Sequence, residues 1–303
     1  MSNDQSKPSV PNLKPGNYSD GHPLDDVHYL ECKLILKPCG FTSARSFLEY
    51  GKLVKRAAAK FEIELIDKDI VIKPEIREVL FMDTADFRLY NNAYILRRRI
   101  TYEDGFPVGD PEVVFKFRHP DLQAAAEQDV RPNFAGKYLI KFKAEALPLK
   151  DQIGGYRMLY SHNAQFGMSQ IPEGDTMSMK LLARVFPALE AIKRSDEERV
   201  DFVNQAVVEE VLQPLGVLDF GKGLSAKCDC SLWRTRGDHH SLVGEFAFQC
   251  KFKRRDDIHE KTADRVKKFF IELQQIGHEW IQLGVTKTGA VYRLCGNPPQ
   301  CHE

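Results

Sequence analysis

The chain has 303 residues, which is enough for one large domain or two ordinary ones. Its 43 Lys and Arg residues equal its 43 Asp and Glu residues, so the overall charge does not require nucleic acid, an anionic membrane or a basic partner, and any functional charge must be local. Neither a long apolar run nor a signal-peptide pattern is present. The seven cysteines include no C-x-x-C pair, which argues against a disulfide framework or a zinc ribbon. The sequence predicts a cytoplasmic protein with no membrane segment and no clear nucleic-acid partner, and it leaves the oligomeric state open.

The chain begins with a segment that has no hydrophobic periodicity. Residues 1–26 are rich in Pro, Ser, Asn, Asp and Gly, and we predict that they form a disordered leader before a single domain of residues 27–303. A helix is predicted to begin after Thr42 or Ser43, and a last helix over about 257–281 after a cap at Asp256 or Asp257. Alternating polar and apolar residues predict strands at 29–37, 61–66, 76–83, 93–100, 112–118, 137–145, 225–233 and 244–253.

Between these strands, the segment from about 150 to 215 has a different pattern. The sequences DTMSMKLLARVF and DEERVDFVNQAVVEEVL carry apolar residues three and four positions apart. We therefore predict a helical insertion, or a covering layer of helices, over about 150–215.

Six of the predicted strands have one charged face. In the strand 112–118, for example, Lys116 and Arg118 alternate with Phe115 and Phe117. One interpretation is a half-buried sheet whose polar face meets bulk water. The other is a closed barrel whose charged faces line a lumen while helices cover the apolar outside. Because clustered cations need water and counter-charge, such a lumen would require a polyanion. We predict an α+β fold built on an antiparallel closed β-barrel with a charged interior, flanked by helices.

The stretch FMDTADFRLYNNAYILRRR, residues 81–99, resembles the signature of the CYTH, or triphosphate tunnel metalloenzyme, family. There, a strand ending in Asp-Thr leads through a short helical segment to a Leu-Arg-x-Arg strand. Around it lie an early Glu-x-Lys strand (Glu31, Lys33), a later Lys strand and a strand that opens with Glu245. The resemblance covers most of residues 28–253 and implies a barrel in which basic residues hold a triphosphate and carboxylates hold a divalent metal.

Two carboxylates of the family pattern are absent. The opening Glu-x-Glu-x-Lys motif has Tyr29 in place of its first glutamate, and the closing Glu-x-Glu motif has Ala247 in place of its second. The oxygen ligands that remain are Glu31, Glu245 and Asp229, which are suited to one Mg²⁺ or Mn²⁺ ion together with phosphate oxygens. The resemblance therefore supports anion binding more strongly than hydrolysis.

Three functions follow from the resemblance. The first is a metal-dependent phosphohydrolase acting on inorganic triphosphate, thiamine triphosphate or a nucleotide, in which Lys33 polarises the attacked phosphate and Arg97 and Arg99 stabilise the transferring group. The second is a catalytically impaired module that binds triphosphate or polyphosphate. The third is an adenylate cyclase or polyphosphate polymerase of the same fold. In each case the partner is a phosphate-rich small molecule. The predicted binding cations are Lys33, Arg97, Arg99, Lys116, Arg118, Lys143 and Lys227.

Overall fold

Nine strands close into a barrel in the computed structural model, which describes residues 11–68 and 70–296. No helix in these two ranges is long and apolar enough to cross a membrane. The elements in chain order are β1 (Tyr29–Leu36), α1 (Ala44–Ala59), β2 (Glu64–Ile66), β3 (Glu75–Asp83), α2 (Arg88–Asn91), β4 (Tyr94–Glu103), β5 (Phe106–His119), α3 (Leu122–Glu127), β6 (Leu139–Pro148), β7 (Tyr156–Gly167), α4 (Met179–Val185), β8 (Asp201–Phe202), β9 (Val208–Asp219), β10 (Ser225–Thr235), β11 (Ser241–Lys251), α5 (Glu260–Ile276) and α6 (Lys287–Tyr292).

The barrel follows the order β9, β10, β11, β1, β6, β7, β5, β4 and β3, and pairing of β3 with β9 closes it. The predicted closed barrel with flanking helices is confirmed. One detail differs, because β1 and β6 run parallel, with Tyr29 beside Lys143 and Glu31 beside Glu145. The long connection between these two strands contains several other elements, so no tight hairpin forces them into an antiparallel arrangement. The barrel is therefore mixed.

Helices cover the apolar outer face of the barrel. The amphipathic helices α1 and α5 pack on the wall around β1, β10 and β11, where Phe47, Phe246 and Phe269 belong to one buried cluster. Helix α4 covers a second cluster on β4, β5 and β7. This outer packing removes the aromatic faces of the strands from water, and it leaves the opposite, charged faces to line the interior.

The segment 150–215 is mostly not helical. It contains the strand β7 and the beginning of β9, and α4 covers only Met179–Val185. The helical prediction is therefore wrong for residues 156–167 and 208–215. In β7 the polar residues Ser161, His162 and Asn163 are consecutive and buried, which obscures the alternation expected of a strand. In β9 the two consecutive glutamates, Glu209 and Glu210, interrupt the apolar residues, whose spacing therefore fits a helix as well as a strand.

Part of the predicted disordered leader is packed against the barrel. Residues 1–10 lie outside the described ranges, but the Tyr18 side chain is buried and its hydroxyl donates to the carbonyl of Ala126 at 2.8 Å. Farther along, Asp25 Oδ2 lies 3.0 Å from His162 Nε2. The buried Tyr18 ring, the contact between Asp25 and His162, and an ion pair between Asp20 and Arg131 at 3.0 Å hold this part of the leader in place despite its polar composition. The fold thus begins before residue 27.

Helix α5 begins after His259, whose ring Nδ1 accepts a hydrogen bond from the Lys261 amide at 3.2 Å. The predicted caps, Asp256 and Asp257, belong instead to the short 3₁₀ turn before it. Helix α1 begins after Ser43, one of its two predicted caps.

Candidate functional site

The barrel encloses a cavity of about 360 Å³. Every residue that the sequence analysis proposed for binding, catalysis or metal coordination lines this cavity, although the role of each remains a prediction. These residues lie on β1, β4, β5, β6, β10 and β11, and they are Glu31, Lys33, Arg97, Arg99, Lys116, Arg118, Lys143, Lys227, Asp229 and Glu245. Residues two positions apart on a strand share a face, which explains why the charged positions of all six strands meet inside.

A buried carboxylate organises the cations of one side. Glu145, only 1 % exposed, accepts from Lys116 Nζ at 2.7 Å, lies 3.3 Å from Lys33 Nζ and 3.5 Å from Arg118 Nε, and accepts from Ser161 Oγ at 2.6 Å. Burial alone would raise the pKa of Glu145, but Lys116, Lys33 and Arg118 hold it well below its usual range. Burial and the neighbouring Arg118 lower the pKa of Lys116 well below its ordinary value, and Glu145 opposes that shift. The ionised carboxylate therefore fixes three basic side chains in one place.

Sequence reasoning did not assign Glu145 to the site. The signal was present, because Glu145 follows Lys141 and Lys143 at alternate positions of the same strand and so shares their face. A carboxylate in an otherwise cationic series indicates a counter-charge for its neighbours.

A second carboxylate lies beside the first. Glu31 Oε2 is 3.0 Å from Lys33 Nζ and 3.3 Å from Lys143 Nζ. Burial raises the pKa of Glu31, but Lys33 and Lys143 outweigh it and lower the value to about 2. Burial lowers the pKa of Lys33, whereas Glu145 and Glu31 raise it above its ordinary value by a larger amount. Lys33 therefore stays protonated between two carboxylates that the parallel register of β1 and β6 places side by side.

Arg97 differs from these paired cations. Its Nε is buried without a hydrogen-bond partner, and its guanidinium makes no ion pair with any residue in 11–68 or 70–296. Burial, and then the neighbouring Arg99, lower the pKa of Arg97 to about 10, so the side chain stays charged at neutral pH. A buried charge without a partner is costly. This position therefore favours an anionic ligand in the cavity.

The opposite side of the cavity contains a lysine that the sequence analysis did not find. Lys287 Nζ lies 2.6 Å from Glu245 Oε1 and 3.0 Å from Glu210 Oε1, above the ring of Trp233 at 4.8 Å. Trp233 Nε1 donates to Glu210 Oε1 at 2.7 Å, and Arg77 lies 3.6 Å from Glu210 Oε2. Both carboxylates of this cluster, Glu210 and Glu245, are therefore paired with cations of the protein itself.

The three residues missed on this side had weak sequence signals. Glu210 lies in the segment interpreted as a helix, and Lys287 follows the last predicted helix. Arg77 is followed directly by Glu78 in its strand, so the charged residues there did not alternate with apolar ones. Contacts between distant parts of the chain, which no single-strand pattern encodes, bring them together.

Asp229 has a different environment from the other acidic residues. The pKa of Asp229 is raised to about 7, mainly because of burial. Lys287 opposes this shift, whereas the negative charges of Glu245 and Glu210 add to it. Its carboxylate makes no hydrogen bond or ion pair within the part of the chain that the structure describes. Asp229 is therefore the acidic side chain that an added cation would stabilise most directly.

The predicted metal ligands fit a hard divalent cation by donor chemistry, because Glu31, Asp229 and Glu245 offer carboxylate oxygens. Asp229 supports this fit, because it is half-buried and its carboxylate has no partner among the residues that the structure describes. The described residues do not form a preassembled cluster of three or more metal-ligating side chains, however. Glu31 and Glu245 are bound to lysines, so a metal would have to compete with these ion pairs.

Comparison with known proteins found distant structural likenesses only. No protein-family model matches the chain, and no curated protein matches it significantly. A Hippeastrum protein, described as an adenylyl cyclase candidate with a dominant triphosphatase activity, is 13% identical and has a TM-score of 0.40, over 88% of this chain and 95% of its own. An adenylate cyclase candidate of Bacillus halodurans is 11% identical, with a TM-score of 0.38, over 89% and 98%. A protein of Pyrococcus horikoshii is 12% identical, with a TM-score of 0.32, over 81% and 90%.

Proposed function

We propose that the protein is a divalent-metal-dependent phosphohydrolase that binds a triphosphate-containing compound inside the barrel. The observation that carries the proposal is Arg97, whose buried Nε has no hydrogen-bond partner, whose guanidinium has no counter-ion in the described ranges, and which lies beside Arg99 in a cation-rich cavity. A chain of phosphates offers several negative oxygens in a row, which matches a row of cations better than a single carboxylate does.

In this proposal the cations hold the phosphate chain and stabilise charge on the transferring group. Arg97 and Arg99 bind the oxygens of the phosphate under attack, while Lys33, held by Glu31 and Glu145, polarises it. Lys116 and Arg118 are fixed by Glu145, so little reorganisation is needed when an anion arrives. Lys143 and Lys227 complete the set that was predicted from sequence.

Glu31, Asp229 and Glu245 would hold the Mg²⁺ or Mn²⁺ ion, which neutralises phosphate charge and activates water when it is bound. The residues of the chain fix the position of the phosphate. The candidate substrates are inorganic triphosphate, thiamine triphosphate and a nucleotide. Adenylate cyclase and polyphosphate polymerase are further activities compatible with the same binding residues.

A binding module without turnover is the second candidate, and a specific observation favours it. Glu245 is bound to Lys287 at 2.6 Å, and the next inward position of β11 is Ala247, which has no ligand atom. The metal side of the cavity is therefore short of free carboxylates, while the phosphate side is intact.

One panel of substrates distinguishes these candidates. Inorganic triphosphate, thiamine triphosphate, ATP and long-chain polyphosphate are each incubated with Mg²⁺, Mn²⁺ or a chelator, and phosphate release and cyclic AMP are measured. We expect metal-dependent release of phosphate. Calorimetric binding of triphosphate without release from any compound would instead support the binding module, and the absence of both binding and release would contradict both candidates.

A further inference from the structure

The short helix α6 lies at one end of the barrel and carries Lys287 into the cavity. The Thr286 hydroxyl accepts from the Gly289 amide at 3.0 Å at the beginning of this helix. At its other end, the Tyr292 hydroxyl donates to Asp83 Oδ2 at 2.9 Å, and its ring stacks on Tyr90 at 4.1 Å. These contacts hold the helix, and with it the backbone of Lys287, in a fixed position.

Asp83 connects this helix to the segment that resembles the family signature. Its carboxylate also accepts from the backbone amides of Thr84, Leu89 and Tyr90 at 2.7 to 3.0 Å. The same buried carboxylate therefore shapes the turn after β3 and anchors α6. Asn204 adds a second clamp, because its Nδ2 donates to the carbonyls of Val291 and Tyr292 at 2.8 and 3.0 Å.

The ammonium group of Lys287 is surrounded by acceptors. Carboxylate oxygens of Glu245 and Glu210 lie 2.6 and 3.0 Å from Nζ, and the centre of the Trp233 ring lies 4.8 Å from it. Glu245 and Glu210 are 6 % and 4 % exposed, so each needs a counter-charge. The single Nζ atom of Lys287 supplies this charge to both carboxylates. Two buried carboxylates that converge on one point are otherwise expected to share a bridging metal ion.

We propose that Lys287 is a built-in counter-ion that occupies the place of a divalent cation between Glu245 and Glu210, so that the cavity binds a phosphate chain with at most one added metal ion. This inference rests on the proposed function for the identity of the anion. It follows from the fixed position of Lys287, from its two carboxylate contacts, and from Ala247, which offers no ligand atom next to Glu245.

Two consequences distinguish a lysine from a metal in this position. The lysine is part of the chain, so a chelator cannot remove it, and the anion site keeps one positive charge on its acidic side without any ion. A divalent cation can bind Glu245 only after it displaces the Lys287 ammonium, and the positive charges of the cation and the ammonium repel each other. Lys287 therefore lowers the affinity of this side for metal and lowers the dependence of anion binding on metal.

The test is calorimetric titration of the full chain with Mn²⁺, without any phosphate compound. Lys287→Met removes the charge and keeps most of the side-chain volume, Lys287→Arg keeps the charge, and Lys180→Met removes a lysine that is 68% exposed on α4, away from the cavity. We expect Lys287→Met to bind Mn²⁺ at least tenfold more tightly than the wild type, which corresponds to about 1.4 kcal/mol. The other two variants should remain within twofold of the wild type.

An unchanged Mn²⁺ affinity and stoichiometry in a folded Lys287→Met protein would overturn the proposal. If that variant does not fold, the wild type decides. Its calorimetric affinity for inorganic triphosphate in excess chelator should stay within about fivefold of the value with Mg²⁺, and a complete loss of binding in chelator would overturn the inference. Phosphate release is not measured in either experiment, so a failed hydrolysis assay would contradict the proposed function while leaving the result for Lys287 intact.

Discussion

The two sides of the barrel solve the problem of buried charge in different ways. On the side formed by β1, β4, β5 and β6, cations exceed carboxylates, and Arg97 has no counter-ion in the described ranges. On the side formed by β9, β10, β11 and α6, Glu210 and Glu245 share the ammonium of Lys287, and Arg77 lies 3.6 Å from Glu210. The first side is short of negative charge, whereas these two carboxylates of the second side are already paired with cations of the chain. Arg97 on the first side and Asp229 on the second have no such partner in the described ranges, so an anion bound next to Arg97 and a cation bound next to Asp229 would neutralise them.

The largest effect should come from the carboxylate that organises the basic side. Replacing Glu145 by Gln keeps its shape and removes the counter-charge of Lys116, Lys33 and Arg118. Because this leaves buried cations unpaired, we expect the free energy of unfolding to fall by about 3–5 kcal/mol. Urea denaturation followed by circular dichroism measures it.

The matched control for that experiment is Glu112→Gln. Glu112 is 34% exposed, and among the residues that the structure describes it pairs only with Arg99, at 2.6 Å, so its loss should cost less than about 1 kcal/mol. Saturating triphosphate should restore part of the stability of the Glu145→Gln protein, because the ligand supplies negative charge to the same cations. Equal stability losses in the two variants would show that Glu145 does not organise the basic side.

Arg97 tests whether the side that is short of negative charge binds the anion. We expect Arg97→Gln to weaken the calorimetric affinity for inorganic triphosphate by about 100-fold, or about 2.7 kcal/mol, because charge-assisted hydrogen bonds to phosphate are lost in a partly desolvated cavity. Arg98→Gln is the control from the same run, since Arg98 occupies the opposite face of β4 and does not line the cavity. Similar affinities in both variants would place the anion elsewhere.

The contact between Asp83 and Tyr292 of α6 should make the stability of the protein depend on pH. Burial raises the pKa of Asp83 to about 6, despite the three amides and the Tyr292 hydroxyl that favour its ionised form. Since the folded pKa exceeds the unfolded value of 3.8, the native state holds more protons between these pH values, and stability from this group falls as pH rises. We expect the free energy of unfolding to fall by about 2 kcal/mol from pH 4 to pH 6 relative to Asp83→Asn, which does not titrate. Urea denaturation of both proteins across this range measures the difference, and parallel pH profiles would contradict it.

The alternation of single strands predicted the basic side better than the acidic side. Lys116, Lys141 and Lys143 alternate with apolar residues, so their strands showed the inward face without knowledge of the neighbouring strands. Lys287 and Glu210 had no such pattern, because one begins a short helix and the other lies in a strand with a helix-like spacing. The barrel could be predicted because many strands repeat one rule, whereas the closure of its end by α6 depends on long-range contacts such as that between Tyr292 and Asp83.

The last prediction separates binding from turnover with Glu31, which belongs to both sides. Its carboxylate is a proposed metal ligand and also the counter-charge of Lys33 and Lys143. Glu31→Gln removes a hard ligand while releasing positive charge toward the phosphate, so we expect phosphate release from triphosphate with Mn²⁺ to fall at least tenfold and triphosphate affinity to stay equal or increase. Glu245→Gln should also reduce phosphate release.

Cys228→Ala is the control for these two variants, because Cys228 is buried among apolar residues on the outer face of β10 and should leave both measurements within about twofold. Rates and calorimetric affinities measured on the same preparations keep the two effects apart. Loss of affinity together with rate in Glu31→Gln would mean that Glu31 holds the binding cations in place. Retention of both would remove it from the metal site, and the cation beside Asp229 would then depend on the acidic side alone.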